Sequence, residues 1–196
     1  MNEKIEIGKI NTLKVNRVSE PGIYLISGDE TEVLLPNAYV EKSMLVDSLL
    51  DVFIYTDSED RLVATTLKPY LYLHEFAFLK VVDTAKFGAF VDIGLPKDIL
   101  VPKNRQKSSF FVGSYKVLQL QLDEKTNRLI ASEKYDLLKK IRNLEKNDEV
   151  EIILYSKTPL GYKVIVNNRY EGMIFHSEVF ENLKIGDKKR AYVKNV

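Results

Sequence analysis

The feature that most constrains the fold of this chain is a repeat within its own sequence. The matching segments are 22–26 with 88–92, 34–36 with 100–102, and 57–65 with 123–132, the last with one added residue in its turn. The first two pairs keep one spacing of 66 residues, from position 22 to 88 and from 36 to 102. Matching segments that keep one common spacing indicate two copies of one small folding unit.

A third and more diverged copy follows the second. Gly161–Val166 takes the place of the glycine-led strand, and residues 172–178 follow it as residues 100–102 do in the second copy. Short strands separated by Pro-Gly, Gly-Asp and Asn-Asn turn signals are typical of small all-β barrels. We therefore predict an all-β protein with a first barrel at 1–66, a second at 67–133 and a third at 148–196.

One segment departs from the strand pattern. Between Glu133 and Lys146, apolar residues recur at spacings of three and four, which is typical of an amphipathic helix. We predict a linking helix over 134–147, ended by Asn147-Asp148, between the second and third copies. Its solvent face would carry Lys139, Lys140 and Arg142.

Composition limits the class of protein. The chain has no cysteine, no apolar N-terminal signal region and no apolar run long enough to span a bilayer, so we expect a cytoplasmic protein without a membrane segment. The net charge of +1 conceals a balance of −6 over residues 1–66, +3 over 67–133 and +4 over 134–196. A polyanion is therefore expected on the second and third units.

The strand after Phe87 predicts an aromatic surface. Ala89, Val91 and Ile93 alternate with Phe90 and Asp92, and the charged aspartate requires that its face points outward. Phe90 then lies on the outer face of the sheet. Gly88 can supply a bulge or a positive φ that brings Phe87 beside Phe90. Two rings on an open β surface suit base stacking.

The second copy resembles the S1 RNA-binding domain, a five-stranded barrel of the oligonucleotide/oligosaccharide-binding (OB) type. The resemblance is carried by Phe87-Gly88-Ala89-Phe90-Val91, Leu100-Val101, Val112-Gly113, and Asp123 with Arg128-Leu129-Ile130-Ala131-Ser132. It implies an RNA-binding face that includes Phe87, Phe90, Asp123 and Arg128. The sequence departs from the family at Pro102, where the family often has His, and in its longer turn before Arg128.

The three copies together are similar to the conserved virulence factor B family of bacterial RNA-binding regulators, over the whole chain. This resemblance implies three consecutive five-stranded OB-fold barrels and a role in post-transcriptional regulation. It also implies a winged-helix domain after the third copy, which this sequence does not contain. Because no Arg-Leu-Ile-Ala-Ser segment follows Tyr192, we expect the third barrel to lack its last strand.

Further RNA contacts are predicted around the two phenylalanines and at the equivalent positions of the other copies. Lys86, Lys103 and Arg105 are candidates for phosphate contacts. Tyr24 holds the Phe90 position in the first copy, where Pro21 replaces Phe87. In the third copy Lys163 holds the Phe90 position, and Phe175 stands where the second copy has Pro102.

The sequence predicts a binding protein rather than an enzyme. Its only histidines, His74 and His176, have no catalytic partner at a recognisable spacing, and no cofactor or metal is expected. The predicted ligand is single-stranded RNA, bound with little base discrimination. Single-stranded DNA remains an alternative ligand, because base stacking does not distinguish deoxyribose from ribose. A second alternative is a protein-interaction scaffold with a vestigial nucleic-acid face, in which the acidic first copy is the contact surface.

Overall fold

The computed structural model describes residues 1–196, and its first repeat is a closed five-stranded barrel. The strands are β1 (Ile10–Ser19), β2 (Gly22–Ile26), β3 (Glu32–Pro36), β4 (Leu49–Thr56) and β5 (Leu62–Thr65), in the spatial order β1-β2-β3-β5-β4. A 3-10 helix at Asn37–Tyr39 follows β3. The fifth strand closes the barrel because it pairs parallel to β3 and antiparallel to β4.

The second repeat is a closed barrel with the same connections. Its strands are β6 (Phe76–Ala85), β7 (Gly88–Val91), β8 (Ile99–Pro102), β9 (Tyr115–Asp123) and β10 (Arg128–Ser132), in the spatial order β10-β8-β7-β6-β9. A 3-10 helix at Lys103–Arg105 follows β8. Here too the last strand bridges the third and fourth, with Ile130 beside Leu100 and the whole of β10 along β9.

The third repeat is an open sheet. It consists of β11 (Glu149–Thr158), β12 (Gly161–Val166), β13 (Tyr170–Phe175) and β14 (Lys188–Tyr192), in the order β13-β12-β11-β14, with a 3-10 helix at His176–Glu178. Where the sequence predicts a barrel without its last strand, the structure has four strands, with a free edge on β14 and an edge on β13 that is bonded only at its start. A mainly apolar cavity of about 850 Å³ opens against this sheet.

The glycine at the start of the second strand of each repeat is required by a close backbone approach. A Cβ at Gly88 would lie 2.5 Å from the Val101 carbonyl oxygen, and the same test at Gly161 gives 2.0 Å to the Ile174 oxygen. Our expectation for Gly88 is wrong in its cause: its φ is not positive, and the bulge lies in β6 between Val81 and Asp83. The neighbouring strand, not the turn, excludes a side chain there.

The linking helix predicted over 134–147 is wrong: this segment is irregular. Tyr135 instead packs edge-on against Phe76, with ring centroids 4.7 Å apart. Leu138 pairs with the start of β13, since its N–H donates to the Arg169 oxygen (3.0 Å) and its own oxygen accepts from the Glu171 N–H (3.2 Å). Contacts with both neighbouring repeats therefore outweigh the helical periodicity of the segment.

The repeats are joined by shared hydrophobic packing. Phe53, Tyr55 and Val63 of the first barrel belong to the same buried cluster as the interior of the second barrel. A smaller cluster that includes Phe76 and Ile153 joins the second barrel to the third sheet. None of the helices has the length and hydrophobicity that a bilayer crossing requires.

Candidate nucleic-acid interface

Phe87 and Phe90 form an aromatic pair at one end of β7. Phe90 lies on the outer face of the barrel, paired with Asp83 on β6 and Leu100 on β8. Phe87 lies in the two-residue turn between β6 and β7, and 61% of its surface is exposed. The ring centroids are 6.0 Å apart and the planes are nearly perpendicular, at 89°. We call this pair the aromatic platform.

The backbone of the turn is fixed by the chain segment that follows β8. The Lys103 N–H donates to the Phe87 carbonyl oxygen over 2.8 Å. The first and third repeats make the same bond, from Asn37 to Pro21 and from His176 to Leu160. This shared connection places the 3-10 helix of the second repeat, with Lys103 and Arg105, beside the platform.

The cations around the platform are free of carboxylate partners. Lys86, Lys103 and Arg105 are all exposed, and none lies within 4.0 Å of an acidic group. Charges without an internal partner are available to phosphates, which need only exposed ammonium and guanidinium groups. This end of the platform can therefore hold a nucleic-acid backbone.

The two other residues carried over from the S1 resemblance are engaged elsewhere. The Asp123 carboxylate accepts bonds from the Thr126 hydroxyl (2.9 Å) and the Lys125 N–H (3.1 Å). These bonds, the hydroxyl first, hold its pKa below the ordinary range, and the Arg105 charge adds to the effect. Arg128 forms an ion pair with Asp60 in the β4–β5 turn of the first barrel. Neither side chain belongs to the aromatic pair.

Three carboxylates flank the opposite end of the platform, and the sequence analysis recognised only Asp92 among them, as a residue of the outer face. Asp83 on β6 pairs with Phe90 on β7. Asp92 follows Val91, the last residue of β7, and Asp98 precedes Ile99, the first residue of β8. Burial raises the pKa of Asp98, and the nearby negative charges of Asp92 and Asp83 raise it further. The platform thus has a basic end and an acidic end. The alternation that places Asp92 on the face of Phe90 is visible in the sequence, but the positions of Asp83 and Asp98 depend on strand pairing.

The first barrel covers the equivalent aromatic residue with an arginine. The Arg17 guanidinium lies 3.8 Å from the centroid of the Tyr24 ring. Glu32 holds it there through two bonds, from Nε to Oε1 (3.0 Å) and from Nη2 to Oε2 (2.9 Å). Asn16 donates a further bond to the same carboxylate (2.7 Å). One face of Tyr24 is therefore occupied from within the protein.

The third repeat has an ion pair at this position. Lys163 lies 3.5 Å from Glu171, which also accepts a bond from the Tyr155 hydroxyl (2.9 Å). The hydroxyl bond and the Lys163 charge lower the pKa of Glu171. Phe175 lies at the end of β13, opposite Gly161, and is 47% exposed. It has no aromatic neighbour, so the third repeat contains no second platform.

The acidic turn of the first barrel is occupied by arginines. Asp57 and Glu59 pair with Arg61 at 2.7 and 3.0 Å, and Asp60 pairs with Arg128. The Asp57 carboxylate also accepts the N–H groups of Glu59 and Arg61. These contacts shape a hairpin turn and connect it to the second barrel.

One known protein family matches part of this chain. The family model described as "S1 domain" matches residues 7–67, which include the whole first barrel. The match thus falls on the first repeat, whereas the residues that carried the resemblance in the sequence lie in the second.

Alignments with curated relatives cover between about half and nearly all of this chain. The chain is 34% identical over 101 residues to the uncharacterized protein YitL of Bacillus subtilis (strain 168), which is 51% of this chain and 34% of that protein. It is 25% identical over 198 residues to conserved virulence factor B of Staphylococcus haemolyticus (strain JCSC1435), which is 95% of this chain and 66% of the relative. The Staphylococcus aureus (strain COL) protein of the same name is 27% identical over 201 residues. The chain spans between a third and two thirds of the length of these relatives.

A solved structure shares the fold. It is a multidomain protein with nucleic acid binding domains from Streptococcus pneumoniae TIGR4, with a TM-score of 0.58 and 21% sequence identity. The match covers 96% of this chain and 69% of that one. The fold described above is therefore shared with a solved structure.

Proposed function

Since this chain is a homologue of the conserved virulence factor B proteins over about 95% of its length and contains an S1 domain, we propose that it binds single-stranded RNA. The second barrel provides the main contact, through the aromatic platform of Phe87 and Phe90. The observation that carries the proposal is that no cation of the protein covers Phe90, which is partly exposed beside the exposed ring of Phe87. At the same position, Tyr24 is covered by Arg17 and Lys163 is paired with Glu171.

The rings of the platform and the cations at its basic end make different contributions to RNA binding. Exposed rings stack on bases of any type, and each stacked base contributes about 1–3 kcal/mol to the binding free energy. Lys86, Lys103 and Arg105 neutralise phosphates, and this contribution weakens as salt rises. Neither contact reads a base edge, so binding has little sequence specificity. By occupying single strands, the protein would act as a post-transcriptional regulator of gene expression.

Arg128 and Asp123 contribute at the lower part of the same face. Arg128 exchanges its ion pair with Asp60 for a phosphate, because the pair is exposed and such pairs are weak. Asp123 shapes the turn from which Arg128 projects. Tyr24, Lys163 and Phe175 have secondary roles, since two of them are engaged within the protein and the third stands alone.

The test is a titration of a labelled, unstructured RNA of about 20 nucleotides, long enough for more than one barrel. The Phe87→Ala/Phe90→Ala variant is compared with the wild type at low and moderate salt, after circular dichroism has shown that it is folded. A loss of tenfold or more is expected, because losing about 1.4 kcal/mol reduces affinity tenfold. Phe111→Ala is the matched control, since Phe111 is a phenylalanine of the same repeat that is 67% exposed outside the platform.

The outcomes separate the proposal from its alternatives. Equal binding by wild type and double variant would place binding elsewhere and overturn the platform. No binding by either would favour a protein-interaction scaffold that uses the acidic first barrel. Competition with a DNA oligonucleotide of matched sequence measures the preference for ribose, since only the 2′-hydroxyl distinguishes the two ligands at a stacked site.

A further inference from the structure

Four cations converge on a pocket at the junction of the second and third repeats. The pocket has a volume of about 500 Å³. It is lined by Leu138, Lys139, Lys140, Arg142, Arg169 and Tyr170. No acidic side chain lines it. We call this site the junction pocket.

The positive charge of the junction pocket is not compensated within the protein. None of its four cations lies within 4.0 Å of a carboxylate, although ten other Lys and Arg side chains of this chain do. The positive charge of Lys139 acts on Glu171 and helps to lower the pKa of its carboxyl group. Glu171 is already engaged by the Tyr155 hydroxyl and Lys163. Like charges gathered in this way attract an external anion.

The fold holds the pocket in a fixed frame. The Leu138 backbone pairs with Arg169 and Glu171, so the linking segment is attached to the hairpin between β12 and β13. Asn167 and Asn168 take positive φ in that hairpin. The Asn168 side chain also accepts the Phe76 N–H over 3.1 Å, which anchors the hairpin to the second barrel. The cations are therefore brought together by tertiary contacts, not by the helix that the sequence predicted.

The side chains of the pocket suit a phosphate rather than a base. Arg142 and Arg169 offer planar guanidinium groups, which bind phosphate oxygens through paired hydrogen bonds. The Arg169 guanidinium lies 5.5 Å from the centroid of the Tyr170 ring. Tyr170 itself is only 4% exposed, so it offers no face for a base to stack on.

We propose that the junction pocket binds the phosphodiester backbone of single-stranded RNA, as a second contact that does not depend on stacking. This inference deepens the proposed function and rests on it. RNA that leaves the aromatic platform of the second barrel would continue toward the third repeat across this pocket. Two contacts on one strand raise the overall affinity because the second forms at high effective concentration.

The experiment measures the salt dependence of RNA affinity for the Arg142→Gln/Arg169→Gln variant. For single strands, the slope of log affinity against log salt is about −0.7 for each phosphate contact. Losing two contacts should reduce the slope by about 1.4, with the largest loss of affinity at low salt. Lys42→Gln/Lys68→Gln removes the same charge from exposed lysines without carboxylate partners outside the pocket, and its slope should match the wild type.

A second arm tests the pocket without RNA. Titration of the full chain with inorganic tripolyphosphate should shift the backbone amide signals of residues 138–142 and 169–170, and the Arg142→Gln/Arg169→Gln variant should lose these shifts. A wild-type slope in this variant, or shifts that persist in it, would overturn the pocket while leaving the platform intact. If the slope falls in this variant but Phe87→Ala/Phe90→Ala binds normally, the pocket stands and the platform fails.

Discussion

The guanidinium of Arg17 covers the ring of Tyr24 at 3.8 Å in the first barrel, and this contact distinguishes it from the second. At the equivalent place the second barrel has Asp83 as the strand partner of Phe90, so no internal cation covers that ring. The acid that holds Arg17, Glu32, corresponds to Asp98, which has no cation to hold. The same fold therefore has a cation over the aromatic ring in one repeat and none in the next.

Replacement of the covered ring should leave RNA binding nearly unchanged. Tyr24→Ala should alter RNA affinity less than twofold, because its exposed face is already occupied by Arg17. The variant should lose stability instead, by about 0.5–1 kcal/mol for the cation–π contact. Affinity is measured by the same titration that is used for Phe90→Ala, and stability by urea unfolding. A large loss of affinity in Tyr24→Ala would show that RNA displaces Arg17.

Removal of the acid that holds Arg128 should strengthen RNA binding. In Asp60→Asn the Arg128 guanidinium loses its partner from the first barrel and becomes free for phosphate. The expected gain is up to about fivefold at low salt, because an exposed ion pair is worth about 0–1 kcal/mol. Asp47→Asn, which removes a more exposed carboxylate 3.6 Å from Lys14, is the control for net charge. Equal gains in both variants would mean that only net charge matters.

Addition of one methyl group at Gly88 should destabilise the second barrel. The new Cβ would lie 2.5 Å from the Val101 oxygen, and the backbone atoms of β8 cannot rotate away as a side chain can. We expect Gly88→Ala to cost about 2 kcal/mol or more in urea unfolding.

The matched control for that substitution is Gly113→Ala. A Cβ there meets nothing within 4 Å, but the φ of Gly113 is +86°, so its cost should be backbone strain alone, about 1 kcal/mol. If Gly88→Ala proved the milder of the two, the close approach of β7 and β8 would not be the reason for the glycine.

The raised pKa of Asp98 predicts a stability that declines with rising pH. The folded state holds the Asp98 proton more tightly than the unfolded state, because the site is partly buried and faces Asp92 and Asp83. This contribution is fully present below the unfolded pKa of about 3.9 and is lost as pH rises through the folded pKa. Asp98→Asn should therefore melt higher than wild type at pH 7, with the difference shrinking toward pH 3.

Thermal melts from pH 3 to 8 measure this effect. Asp136→Asn is the control, since Asp136 is exposed and makes no side-chain hydrogen bond or ion pair. A constant difference between Asp98→Asn and wild type across the pH range would contradict the linkage.

The third repeat should exchange its amide hydrogens faster than the two barrels. Its main buried cluster has 6 residues, against 9 in the first barrel and 16 in the cluster centred on the second. The outer edge of β14 is also unpaired and that of β13 is bonded only at its start, by Leu138, so their backbone groups open with little loss of packing. Hydrogen exchange followed by mass spectrometry should show the least protection in 170–175 and 188–192. Protection equal to that of β3 and β9 would contradict this expectation.

The barrel-forming pattern could be read from the sequence because it depends on local requirements that recur. Alternation along a strand places Ala89 and Val91 inside and Phe90 outside, whatever the rest of the chain does. The glycines at 22, 88 and 161 recur because each second strand meets the third at the same close distance. A requirement that recurs in three copies leaves a visible spacing even where the other residues diverge.

The linking segment shows where this reading fails. Its apolar residues have helical spacing, but Tyr135 and Leu138 are held by Phe76 and the start of β13, which lie far away in the sequence. Periodicity reports which residues are buried and not what buries them. Lys139, Lys140 and Arg142 were recognised as a basic group, yet their convergence with Arg169 depends on a pairing that no local pattern encodes.

The sequence by itself determined the class of fold, the repeat and the outward position of Phe90, because each follows from the period and spacing of neighbouring residues. Only the tertiary structure decided which side chains are free to bind. Arg128 meets Asp60 of another barrel, Arg17 lies on Tyr24, and Lys163 pairs with Glu171, whereas no cation of the protein covers Phe90. These differences depend on cross-strand and inter-barrel neighbours, since the availability of a charge or a ring is a property of what surrounds it in space.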